Sequence, residues 1–197
     1  MRTLALVSLA ALALAGCARK QAEVVAPPVA AAPAPYAPVI PKGSGIFAEA
    51  SALPFHAPDF AAIKDSDFQP AIEQGIAIQL AEIEAIAGNP EAPSFDNTLV
   101  ALEKSGQMLT RTLYVFNALK AANTNDTLDA TDSATAPKLA ALADASFLNG
   151  KLFARIKSLH DRQGELGLRP DQARLLKVYY ERYVKNGALL ADADKDR

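Results

Sequence analysis

The chain has 197 residues, half of them apolar, with 20 basic and 22 acidic side chains and a formal charge of −2. That length holds one domain with a real core, or part of a larger one, and the composition favours folding over disorder. The near-balanced charge leaves no electrostatic footprint for nucleic acid, and a single cysteine, Cys17, excludes an internal disulfide.

Residues 1–17 have the order of a secretory signal. Arg2 supplies the positive end, and Leu4 to Leu14 form an apolar run too short to span a bilayer. Leu14-Ala15-Gly16-Cys17 resembles a lipobox, with small residues at the cleavage site and a thiol to be acylated. An ordinary signal peptide with an incidental cysteine is the alternative. Lipidation at Cys17 implies an exported protein held at the periplasm or cell envelope by a lipid anchor. Ala18 in place of an aspartate leans toward the outer membrane. Residues 18–45 hold six of the 13 prolines and read as an extended Pro/Ala-rich linker.

Residues 46–197 read as an all-α body. Asp65 or Ser66 is a candidate cap for a helix with Phe68, Ile72, Ile76, Leu80, Ile83 and Ala87 on one face, stopped by Gly88-Asn89-Pro90. Pro93-Ser94 opens a short second helix with Phe95, Leu99 and Leu102, ending near Gly106. A third carries Leu109, Leu113, Phe116 and Leu119 to about Asn123. A fourth spans Thr127 to Phe147, where Pro137 either kinks it or starts a new helix. Asn149-Gly150 is a turn signal before Leu152, Phe153, Ile156 and Leu159, and Gly164 and Gly167 end that face. Pro170 suits a first helical position ahead of Leu175, Leu176, Tyr179, Tyr180 and Tyr183. The polar run from Ala191 to Arg197 reads as an element cut short, and the chain as truncated.

Chemistry is sparse. The only histidines are His56, in an extended entry segment, and His160, near a helix end; both read as structural or solvated. The chain has no His-Glu-x-x-His, no Gly-x-Ser-x-Gly elbow and no phosphate-cradling glycine loop. Glu82 and Glu84, then Asp126, Asp129 and Asp132, then Asp192, Asp194 and Asp196 read as solvated faces. The tyrosines at 179, 180 and 183 read as half core and half surface. No catalytic, metal-ligating or cofactor-binding residue is assigned, so Cys17 is the single site residue.

Several separated motifs carry a resemblance. Leu53-Pro54-Phe55-His56-Ala57-Pro58-Asp59-Phe60 is followed by Ile63-Lys64-Asp65-Ser66-Asp67-Phe68-Gln69-Pro70-Ala71-Ile72-Glu73. Further on come Asn89-Pro90, Pro93-Ser94-Phe95-Asp96-Asn97-Thr98, Leu102 to Gly106, Asn123 to Asp126, Ala136 to Leu139 and Leu148 to Phe153. In this order they resemble the N-terminal region of bacterial peptidyl-dipeptidases of the M3, thimet oligopeptidase-like, zinc metallopeptidase family.

The resemblance implies a larger, mostly helical, bilobed enzyme around a deep channel that admits oligopeptides and removes C-terminal dipeptides. In that family zinc is held by a His-Glu-x-x-His helix and a further glutamate, none of which maps onto this sequence. The chain alone is then expected to bind no cofactor, to be inactive, and to expose an apolar surface where the catalytic part packs. The alternative is a stand-alone helical peptide-binding envelope lipoprotein without catalysis.

Overall fold

The computed structural model describes residues 36 and 38–191. The stretch read as a signal segment, with Cys17, and Asp192, Asp194 and Asp196, lie outside the described residues. Among the described residues every regular element is helical, as the periodicity leads one to expect.

Helix α1, Phe68–Ala87, lies at the centre and packs against three later helices: α3 (Gln107–Asn123), α4 (Asp126–Phe147) and α5 (Gly150–Asp161). Its environment explains its composition. Phe68, Ile72, Ile76, Ile83 and Ala87 of the expected stripe are buried, and Leu80 is partly so. Ile78 and Ile86, off that stripe, are buried too. A helix with neighbours on several sides needs more than one apolar face. Where α1 meets α3, a Cβ on Gly75 would stand 2.9 Å from the Leu109 Cα, so the two backbones approach as only glycine allows.

The start of α1 differs from the expectation. Neither Asp65 nor Ser66 caps it. A 3-10 helical turn at Asp65–Asp67 leads into the helix, and the Asp67 carboxylate reaches back to accept from the Lys64 N–H at 2.9 Å. After α1, Ser94 caps a π-helical turn, Phe95–Val100, that runs into the short α2, Ala101–Lys104. Ser94 and Asn97 exchange hydrogen bonds, Asn97 N–H to Ser94 Oγ at 3.1 Å and Ser94 N–H to Asn97 Oδ1 at 2.8 Å. Gly106, at φ +68°, turns the chain into α3, and its N–H donates to Glu82 at 2.7 Å.

Helix α4 runs unbroken through Pro137, so this proline starts no new helix. It is exposed, as is Ser133, the residue whose carbonyl loses its N–H partner. The Asn125 side chain caps α4, accepting from Thr127 and Leu128 at 3.0 and 3.1 Å. Asn149 likewise caps α5 through Leu152 at 3.0 Å, which turns a residue read only as a turn signal into a helix start. Helix α6, Pro170–Lys185, opens on Pro170 and packs on α5.

Aromatic rings join the layers. Phe47, Phe68 and Phe116 stand in a row with centroids 5.4 Å apart at each step. Tyr183 meets Phe147 edge-on at 5.2 Å. The end of the stretch read as linker is also held to the helices: Tyr36 donates to the Ala85 carbonyl at 3.0 Å, and the Ser44 N–H to Gln74 at 2.7 Å.

Candidate functional site

Between the entry segment and α3 lies a recess of about 530 Å³. Ile46, Pro58, Ile63, Tyr114 and Val115 give it apolar walls, and Glu49, His56, Asp59 and Arg111 bring polar groups to it. Concave apolar space with a few convergent polar groups is what a peptide side chain needs.

The polar groups are mostly committed. Arg111 donates to the Phe47 carbonyl at 3.3 and 3.2 Å and to the Ala48 carbonyl at 2.6 Å, so its guanidinium ties the entry segment to α3. Asp59 accepts from the Ala61 N–H at 3.2 Å. His56 Nδ1 lies 2.8 Å from the Ser51 carbonyl.

His56 is not in an extended segment. Pro54–His56 forms a 3-10 helical turn in which Phe55 and His56 hold φ of 60° and 55°. Left-handed backbone costs an L-residue roughly 1–2 kcal/mol. Four short bonds hold the turn: Leu53 N–H to Ser51 Oγ at 3.1 Å, His56 N–H to the Leu53 carbonyl at 2.9 Å, Ala57 N–H to the Pro54 carbonyl at 3.2 Å, and the His56 ring to Ser51. Phe55 is fully exposed on it, at 101%.

A second polar centre lies where α5 meets the loop after α1. Arg155, only 6% exposed, donates to the Asn89 carbonyl at 2.8 Å, the Glu91 carbonyl at 3.0 Å and Asn97 Oδ1 at 2.8 Å. Arg162 donates to the Pro93 carbonyl. Burial lowers the Arg155 pKa, but a guanidinium keeps its proton in proteins. These two arginines fix the loop between α1 and α2. Neither stood out in the sequence, because a buried arginine on a helix is patterned like a solvated one.

His160 stacks on Tyr180 with centroids 3.8 Å apart. Tyr183 is buried and Tyr179 and Tyr180 are half-buried, the mixed role the sequence led one to expect. Burial and the Glu103 carboxylate, which accepts from Tyr179 at 2.5 Å, push the Tyr179 phenol well above its ordinary pKa. The acidic residues serve structure. Glu84 accepts from Asn149 at 3.0 Å, Asp129 accepts from Thr124 at 2.8 Å, and Asp132 pairs with Lys120. Asp126 lines a shallow surface recess with Glu73. Among the described residues no three of His, Cys, Asp or Glu converge as a metal-ligand set, and His56 and His160 belong to separate elements. The donors present in this body do not fit a zinc ion.

No protein-family model matches the chain. Two curated relatives do. The chain is similar to dipeptidyl carboxypeptidases. It is 46% identical to the Escherichia coli K12 dipeptidyl carboxypeptidase over 145 residues, 74% of this chain and 21% of that protein. Identity to the Salmonella typhimurium LT2 dipeptidyl carboxypeptidase is also 46%, over 147 residues, 75% of this chain and 22% of that protein. The chain thus spans about a fifth of the length of these dipeptidyl carboxypeptidases.

Proposed function

We propose that this chain is the helical, non-catalytic portion of an exported, lipid-anchored, zinc-dependent peptidyl-dipeptidase of the M3 family. Its work is to form part of the wall of a channel for oligopeptides. The observation that carries the reading is the 46% identity, over three quarters of the chain, to two dipeptidyl carboxypeptidases. The all-α body and the absence of His-Glu-x-x-His from the 197 residues are consistent with it. Zinc and the general base then belong to polypeptide other than this body. The partners are oligopeptide substrates and, through an acylated Cys17, the envelope membrane.

The test is a chimera in which this chain replaces the matched 145 residues of the E. coli dipeptidyl carboxypeptidase. Release of C-terminal dipeptides from a model peptide is expected at a rate near that of the parent. A folded chimera that binds zinc yet leaves peptides intact would sink the reading. The apolar recess beside α3 favours one second reading, a stand-alone peptide-binding lipoprotein. Saturable binding of an unstructured peptide to this chain by itself, abolished by a bulky Val115→Trp substitution, is the result that reading requires.

A further inference from the structure

Tyr36 and residues 38–48 belong to the same compact unit as the helices, and their contacts fall in reverse order along α1. The Tyr36 hydroxyl donates to the Ala85 carbonyl, near the end of α1, at 3.0 Å. The Ser44 N–H donates to Gln74 Oε1 at 2.7 Å, and Gln74 Nε2 returns a bond to Ser44 Oγ at 3.0 Å. The Phe47 ring lies 5.4 Å from that of Phe68, the first residue of α1. Pro38 and Pro41 suit this irregular path beside a helix, because a proline has no N–H to leave unpaired.

The two ends of the segment are held differently. Phe47 is 5% exposed, and its carbonyl and that of Ala48 take the Arg111 guanidinium. At the other end Tyr36 and Ile40 are each 43% exposed, and Val39 faces water. Between them the backbone lies on a thioether: a Cβ on Gly43 would stand 2.8 Å from Met108 Sδ, and Met108 is buried. Tyr36, Pro38 and Ile40 share a recess of about 370 Å³ with Glu82 and Ile86 of α1 and Ala101 of α2, so the segment also closes over the groove between those helices. Local opening follows the number of buried contacts, and here that number falls from Phe47 toward Tyr36.

We propose that this segment is a strap, hinged at Phe47 and latched at Tyr36 and Ser44. Closed, it covers the groove between α1 and α2 and seals Met108. It opens from the Tyr36 end while the helices stay packed.

Met108 supplies the probe, since the chain has only two methionines and the other is Met1. Hydrogen peroxide transfers one oxygen atom to the thioether, giving the sulfoxide and water, and the modified peptide is read by mass spectrometry. The full chain is compared with Tyr36→Ala and with Gln74→Ala, the second covering the case in which the first fails to fold. Each folded variant is expected to oxidise Met108 about fivefold faster or more, with its helical circular dichroism retained, because a lost latch bond raises the open population by about that factor. In the unsubstituted chain the oxidation rate should rise less steeply with urea than global unfolding does. Oxidation rates in both variants equal to that of the unsubstituted chain overturn the latch. An oxidation rate that tracks global unfolding across the urea series makes the segment a fixed part of the body, which also overturns the inference.

Discussion

Arg155 carries a charge into the body and meets carbonyl oxygens there in place of a carboxylate. Truncating it strands the Asn89 and Glu91 carbonyls, while Asn97 Oδ1 keeps the Ser94 N–H. Glu91 is exposed and Asn89 half-buried, so water takes up part of that loss, and Arg155→Ala is expected to lower the unfolding free energy by about 1–3 kcal/mol in urea titrations. Arg155→Lys should recover little, since one ammonium cannot fork across three acceptors.

Exposed pairs act differently. The Lys138 ammonium, 2.5 Å from Glu73, holds that carboxyl below its usual range, and Lys157 and Arg169 do the same for Asp161 and Asp171. A carboxylate whose folded pKa is depressed stabilises the fold above its unfolded value and loses that contribution as pH falls through the folded one. The melting temperature should therefore hold near neutrality and fall below about pH 4. The part of the change due to these pairs should shrink in high salt.

At the scale of elements, the period of apolar residues was enough to find every long helix, and Pro170 marked the start of α6. What escaped had no periodic trace. Asp67 caps backwards through a 3-10 turn, which a search for forward-capping residues at 65 and 66 passes over. The Pro54–His56 turn looked extended because prolines at 54 and 58 bias their neighbours that way, and nothing in a phenylalanine announces a left-handed backbone. Of the candidate site, the histidine was visible, but its recess depends on α3 returning from fifty residues away.

Two substitutions test the element packing. Gly75→Ala forces α1 away from Leu109 and should cost about 1–3 kcal/mol, seen as a lower urea midpoint with the helical circular dichroism retained. Pro137→Ala should do the opposite. It restores an amide donor on an exposed face of a helix that is already continuous, and should raise stability by up to about 3 kcal/mol.

For the molecule as a whole, the central position of α1 makes the body depend on long-range closure, with partners in α3, α4 and α5. The anchoring part of the proposal is tested apart from the body. Cys17→Ser is expected to move the protein from the membrane fraction to the soluble fraction and to abolish incorporation of labelled palmitate. A protein that stays with the membrane, or that takes up no label before the substitution, would sink the lipid anchor.

The Arg155 clamp also sets a timetable for synthesis. Its acceptors at Asn89, Glu91 and Asn97 leave the ribosome 58 to 66 residues ahead of the guanidinium that holds them. At roughly 5–20 residues per second that interval is about 3–13 s. Through that interval the Asn89 and Glu91 carbonyls wait for the guanidinium, and the loop after α1 has only its own bonds, Asn97 Nδ2 to the Ala92 carbonyl and the Ser94–Asn97 pair.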